Sequence, residues 1–143
     1  MVQFAETYSG KMVALKFYNK DTIKYYPMLI VREVECLEEY MNEGEDSKIC
    51  KIIEYFRFTS NHSEQYVLVL EFFECGSLKN LLDEVHLVSS LQKAKYCLNI
   101  AHGIQQLHSR NRMHRDLKPE NIFGKKIRPN EYEFKLGDFG SSR

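Results

Sequence analysis

His114-Arg115-Asp116-Leu117-Lys118-Pro119-Glu120-Asn121 and, shortly after it, Asp138-Phe139-Gly140 are the two words on which the reading of this 143-residue chain turns. Both sit on connections. The first lies between a helical pattern over residues 90–108 and a short strand over 121–123, and the second is delivered by a strand over 133–136 that follows a polar connection through Pro129-Asn130. Ala94, Cys97, Leu98, Ala101, Ile104 and Leu107 recur at helical spacing and form the expected apolar face of the long helix. A shorter helix over 77–85 precedes it, with Ser77 as its expected N-cap.

Upstream of Glu74-Cys75-Gly76-Ser77 the pattern is one of strands. Residues 2–5 and 12–18 flank the turn signal Tyr8-Ser9-Gly10-Lys11, which predicts a hairpin with Lys16 near the end of its second strand. Pro27 opens an amphipathic helix in which Ile30, Val34, Leu37 and Met41 recur at three and four residues; it is expected to end near Asn42-Glu43-Gly44, with Glu33 beside the apolar stripe. Strands over 49–57 and 66–72 follow, joined by a polar turn over 59–64. The second is a nearly continuous apolar run suited to a buried position. The order strand, strand, helix, strand, strand and then helices predicts an α+β chain whose sheet-rich part meets a helical part near Gly76.

Composition narrows the function classes. Twenty basic residues balance twenty acidic ones, so no lopsided field argues for nucleic acid or a membrane surface as partner. No apolar run reaches bilayer-spanning length and the first residues lack a charged stretch followed by an apolar one, so an intracellular, cytoplasmic location is expected. Cys36, Cys50, Cys75 and Cys97 are scattered, with no Cys-x-x-Cys pair, which supports reduced thiols rather than zinc or a disulfide framework. His62, His86, His102 and His108 have no partner spacing that suggests metal or acid-base work, and the acids of 43–46 read as a solvated loop.

With Val13-Ala14-Leu15-Lys16 upstream of them, the two words resemble the eukaryotic protein kinases, and segments from Val2 to Arg143 can be laid on that pattern. Lys118, two residues after Asp116, resembles the serine/threonine type. The resemblance implies a two-lobe fold, with the small lobe over 1–73 and the hinge and first part of the helical lobe over 74–143. It implies ATP and Mg2+ as cofactors and protein serine or threonine hydroxyls as phosphoryl acceptors. Lys16 would hold the α- and β-phosphates and be fixed by an ion pair with Glu33. Asn121 and Asp138 would be the magnesium ligands, Asp116 would accept or orient the substrate hydroxyl proton, and Lys118 would contact the γ-phosphate. Val2, Ala14 and Phe123 would form the roof and floor of the adenine slot. Leu70 would guard its deep end, and the main chain of Glu71 and Phe73 would read the adenine edge. Leu37, Ile53, His114 and Phe139 would form the apolar stack behind the magnesium loop.

Against the family pattern, the glycine-rich loop would precede Val2, and an activation segment would follow Gly140. The chain is therefore expected to be a partial catalytic domain of very low activity alone. The apolar face of its long helix is expected to be partly bare and open to a protein partner, with a corresponding loss of stability. A non-catalytic remnant acting as a binding module or decoy is the alternative, and the presence of Lys16, Asp116, Asn121 and Asp138 argues against it. Arg112 occupies a usually apolar position, and residues 125–132 lengthen the connection from Phe123 to Asp138.

Overall fold

Gly10, at φ +77°, turns a strand β1 (Val2–Glu6) back on β2 (Met12–Tyr18), as the turn signal predicts. The computed structural model describes residues 1–44, 46–60, 63–85, 89–129 and 131–143; the expectations for Glu45, Asn61, His62, His86 and Asn130 lie outside the described residues. Strands β3 (Ile52–Ser60) and β4 (Ser63–Glu71) complete a four-stranded antiparallel sheet in the order β1-β2-β4-β3. The strands run further into the 59–64 segment than expected. Helix α1 (Lys20–Tyr25), which no periodicity announces, is nucleated by Asn19, whose side-chain oxygen accepts from the Thr22 N–H at 2.8 Å.

Helix α2 (Pro27–Glu38) starts at Pro27 as expected but stops short of Asn42. From Tyr40 onward the backbone N–H groups bond three residues back, Tyr40 to Leu37, Met41 to Glu38 and Glu43 to Tyr40, which tightens the chain out of α-helical geometry. The buried Tyr40 ring turns inward there, and its hydroxyl donates to the Gln106 carbonyl at 3.0 Å. The long-range bond outweighs two further helical residues.

Strand β3 begins three residues later than expected, because residues 48–50 pair elsewhere. Leu136 donates to the Lys48 carbonyl at 2.8 Å and accepts from Cys50 N–H at 2.7 Å, tying the approach to the sheet to the strand that carries Asp138. A register break between Ile52 and Glu54 follows. It buries Ile52 (1% exposed) and leaves Ile53 outside (45%), which corrects the expected stack: Ile52, not Ile53, shares the core with Leu37 and Phe139.

The second half holds α3 (Leu78–Val85), α4 (Ser90–Ser109), a 3-10 turn (Pro119–Asn121) and a hairpin of β5 (Ile122–Arg128) with β6 (Glu131–Leu136). The hairpin absorbs most of the polar connection expected over 125–132, because Tyr132, Phe134 and Leu136 alternate inward. The Ser77 N–H and hydroxyl both donate to Asn80 Oδ1, at 3.0 and 2.6 Å, so the side chain of the third helical residue reaches back to cap the start of α3. Ser89 and Gln92 form a full capping box on α4.

The long helix covers only part of the stripe its sequence suggests: Leu107 is buried and Ile104 packs against the core. Tyr96, Gly103 and Leu107 are buried, with Tyr96 edge-on to Phe134 at 5.0 Å, while Ala94, Cys97, Leu98 (67% exposed) and Ala101 face solvent. The hairpin packs on the side of the helix where Gly103 permits close approach. A Cβ at that position would lie 2.9 Å from Leu136 Cγ and 3.0 Å from the Lys48 carbonyl oxygen. His102 and His108 are exposed, the cysteines are free thiols, and among the described residues no helix is long and apolar enough to cross a membrane.

Candidate active site

Strand alternation puts Ala14, Lys16 and Tyr18 on one face of β2, and register places Val2 and Leu68 beside Lys16, with Phe4 and Leu70 beside Ala14. Glu33 meets this face from α2, drawn in because it shares the helix's buried side with Ile30 and Leu37. A carboxylate at 1% exposure requires compensation. Lys16 Nζ donates to both Glu33 oxygens at 2.7 Å, and Tyr18 Oη donates to Oε2. Lys16 also donates to Asp138 Oδ1 at 2.8 Å. Burial alone would lower the pKa of this ammonium; Glu33 and Asp138 more than offset it, and the pKa is raised above the ordinary lysine value.

Asp138 is held by its backbone. Its φ is +61°, a left-handed conformation for a residue with a side chain, and Arg115 in the first word has φ +64°. Gly137 leaves no room for a Cβ, which would lie 2.8 Å from Phe123 Cε2. Its carbonyl is bonded to His114 Nε2 at 3.0 Å, and its N–H donates to the Asn121 carbonyl at 2.9 Å. Phe139 is fully buried with its ring 5.0 Å from that of His114. The two words are thus locked together on either side of the Asp138 carboxylate.

Asp116, Lys118 and Asn121 form a second group. Lys118 Nζ donates to Asp116 Oδ2 at 2.8 Å, and the buried Asn121 amide donates to the Asp116 carbonyl at 2.8 Å and to Oδ2 at 3.0 Å. These bonds, that from Lys118 foremost, hold the Asp116 carboxyl below its ordinary pKa. Asn121 Oδ1 accepts no hydrogen bond among the described residues.

Between the sheet and β5 lies a cavity of about 360 Å³. Val2, Ala14, Lys16, Glu33, Leu70, Glu71, Phe73, Phe123 and Asp138 all line it, whereas Asp116, Lys118 and Asn121 lie outside its lining. Phe73 and Phe123 stack at 5.6 Å. The Glu71 carboxylate is engaged by Lys135 Nζ at 3.1 and 3.2 Å, and the Glu71 N–H by the Lys51 carbonyl. Among the described residues the Phe73 N–H has no hydrogen-bond acceptor.

Sequence reasoning missed Tyr18, Phe4, Cys50 and Glu120. The first two could have been found: each stands two residues along a strand from a predicted site residue and so shares its face. Cys50 reaches the cavity through long-range packing that leaves no local signal, whereas Glu120 stands inside the first word, directly before Asn121. Arg112, at a position expected to be apolar, grips the Glu39 carboxylate just past α2, its Nε donating to Oε1 at 3.1 Å, and Arg110 reaches the Glu39 carbonyl beside it.

The model of the protein kinase domain family matches residues 1–143. Human serine/threonine-protein kinase ULK1 is 30% identical over 136 residues, an alignment covering 92% of this chain and 12% of that protein. The mouse inhibitor of nuclear factor kappa-B kinase subunit epsilon is 29% identical over 138 residues, covering 94% and 18%. A probable serine/threonine-protein kinase of Dictyostelium discoideum is 31% identical over 141 residues, covering 96% and 31%. The chain thus spans less than a third of the length of these relatives.

Proposed function

The chain belongs to the protein kinase family, and from that premise we propose that it supplies the nucleotide-binding and catalytic residues of a serine/threonine protein kinase, transferring the γ-phosphoryl group of ATP to protein hydroxyls. Residues 1–73 serve as the small lobe, and 74–143 as the hinge and the start of the larger lobe. The observation that carries this reading is Lys16 joined at once to Glu33 and to Asp138, residues from distant parts of the sequence, at the inner end of an apolar cavity.

The residues present fit ATP with magnesium. An apolar slot suits adenine, and Lys16 suits the phosphates. Among the described residues no group of three or more His, Cys, Asp or Glu could cage a metal. Asn121 Oδ1 and the Asp138 carboxylate offer two hard oxygen donors, the number Mg2+ takes from a protein when phosphate and water oxygens complete its shell. When bound, Mg-ATP supplies the phosphoryl group with its charge partly neutralised.

Lys16, paired with Glu33, would hold the α- and β-phosphates, and Asp138, with Asn121, would hold the metal. Lys118 and Asn121 hold Asp116 through Oδ2, leaving Oδ1 for the substrate hydroxyl proton, and the lowered pKa keeps that acceptor ionised. Lys118 stands beside it to offset charge on the group in transfer. The names of the relatives and the position of Lys118 support serine or threonine as acceptor.

Calorimetric titration of the chain with Mg2+ and a non-hydrolysable ATP analogue tests the binding half. Measurable affinity that Lys16→Ala removes is expected, and affinity indifferent to that change would refute the site. Transfer to a mixed protein substrate, abolished by Asp116→Asn and followed by phosphoamino-acid analysis, tests the rest. Binding without transfer would favour the non-catalytic module.

A further inference from the structure

Tyr18 is a hydroxyl placed where a phenyl ring would suffice for packing. It is 8% exposed, and its ring belongs to the core with Ile30, Leu37 and Leu68. Two residues beyond Lys16 on β2, it faces the same way, with its ring centroid 5.4 Å from Lys16 Nζ, within cation–π range. A hydroxyl in such a position is unfavourable unless bonded, and its partner is Glu33 Oε2. Burial, then Glu33, raise its pKa far above that of an ordinary tyrosine, so it remains a donor at any working pH.

We infer that Tyr18 is a positioning residue that holds Glu33 inside the fold independently of Lys16. Among the described residues Glu33 has two donors, and one of them, Lys16, is shared with Asp138 and, on the functional reading above, with the nucleotide phosphates. A buried carboxylate held only by a shared ammonium would lose its compensation whenever that ammonium shifted. The neutral Tyr18 donor makes no such exchange. It keeps Glu33, and with it α2, in place throughout. The inference rests on the functional reading only for the exchange at Lys16; the anchoring itself is a property of the unliganded fold.

Cys36 reports on it without nucleotide. This thiol lies on α2 three residues after Glu33, is fully buried, and is pushed up to about 11 by burial, so at pH 8 it reacts only when α2 opens. The rate of its modification by N-ethylmaleimide, located by peptide mass spectrometry, is compared in the whole chain, Tyr18→Phe, Glu33→Met and the double variant. Tyr18→Phe should accelerate the reaction roughly ten- to hundredfold, the scale of one hydrogen bond to a charged group, and add nothing in the Glu33→Met background, which has no acceptor for the hydroxyl. An unchanged rate, or equal acceleration in both backgrounds, overturns the inference, since a purely packing role predicts one or the other.

If Tyr18→Phe does not fold, the hydroxyl proton of Tyr18 decides in the unaltered chain: NMR should show it protected from exchange and shifted by Glu33→Gln, and an unprotected proton overturns the inference. Titration of the same chains with Mg2+ and the ATP analogue should show affinity weakened about five- to tenfold by Tyr18→Phe; undiminished affinity overturns the inference. If the unaltered chain binds no analogue, the functional reading fails while the thiol rates still decide the role of Tyr18.

Discussion

Replacing Gly103 by alanine sets two effects of known sign against each other. In the interior of a helix the change gains about 1 kcal/mol of backbone propensity. At this position on α4, however, the new Cβ would lie 2.9 Å from Leu136 Cγ and 3.0 Å from both Leu136 Cδ1 and the Lys48 carbonyl oxygen. Neither neighbour yields easily: Leu136 is fully buried, and the Lys48 carbonyl accepts the Leu136 N–H at 2.8 Å. Overpacking of this kind costs about 1–3 kcal/mol, and a weakened backbone bond adds about 1 kcal/mol. The sum favours net destabilisation of about 1–3 kcal/mol. Ala101→Gly, on the exposed side of the same helix, measures propensity alone and should cost about 0.5–1 kcal/mol. Urea midpoints at constant slope give both values. Because Leu136 lies two residues before Asp138, Gly103→Ala should also weaken affinity for Mg2+ with the ATP analogue, and Ala101→Gly should not. A Gly103→Ala chain as stable as the original would refute the reasoning, since it would mean that α4 does not press on β6 as described.

Two further outcomes follow from charges outside the cavity and from buried protons. The pair of Arg112 and Glu39, partly open to solvent, should show a coupling of about 0.5–1 kcal/mol in a double-mutant cycle of urea midpoints, reduced at high salt; zero coupling would mean that the guanidinium does not tie the end of α2 to the loop before His114. Stability should fall with alkalinity: burial raises Cys36 from 9.0 to about 11 and Tyr40 from 10.0 to about 12, and the carboxylates around Lys16 raise its pKa as well. The folded chain then holds these protons more tightly than the unfolded one. Their contribution is full below about pH 8.5 and is lost as pH rises from 9 toward 12, by at most about 1.4 kcal/mol per pH unit for each group. Urea midpoints between pH 7.5 and 10.5 should decline, less steeply in Cys36→Ala, and a flat profile would contradict the assignment.

Most of the candidate site was legible because its residues belong to short words or to a strand and a helix with clear periods. The structure brings Lys16, Glu33 and Asp138 into contact and sets Asp116, Lys118 and Asn121 against one another; of these contacts the resemblance implied only the pairing of Lys16 with Glu33. What the reading missed lay in register and in partner choice. Ile52 and Ile53 are equally apolar, and only the bulge in β3 decides which is buried. Alternation alone could have nominated Tyr18 and Phe4, but nothing in the local sequence distinguishes a tyrosine that fills space from one that bonds a carboxylate 15 positions away across α1.

The sequence by itself determined the family, the α+β order of elements and the chemistry available at the site, since these depend on residue identity and on periods read within a few turns or strands. Tertiary packing settled where α2 ends, how much of the apolar surface of α4 is covered, that Lys125, Lys126 and Arg128 pair with Glu133, Tyr132 and Glu131 in a hairpin, and that Tyr18 and Arg112 each answer a glutamate. Those outcomes turn on which distant surface is close enough to pack or bond, and local propensity, worth only tenths of a kcal/mol per residue, gives way to a buried contact or hydrogen bond worth about 1 kcal/mol or more.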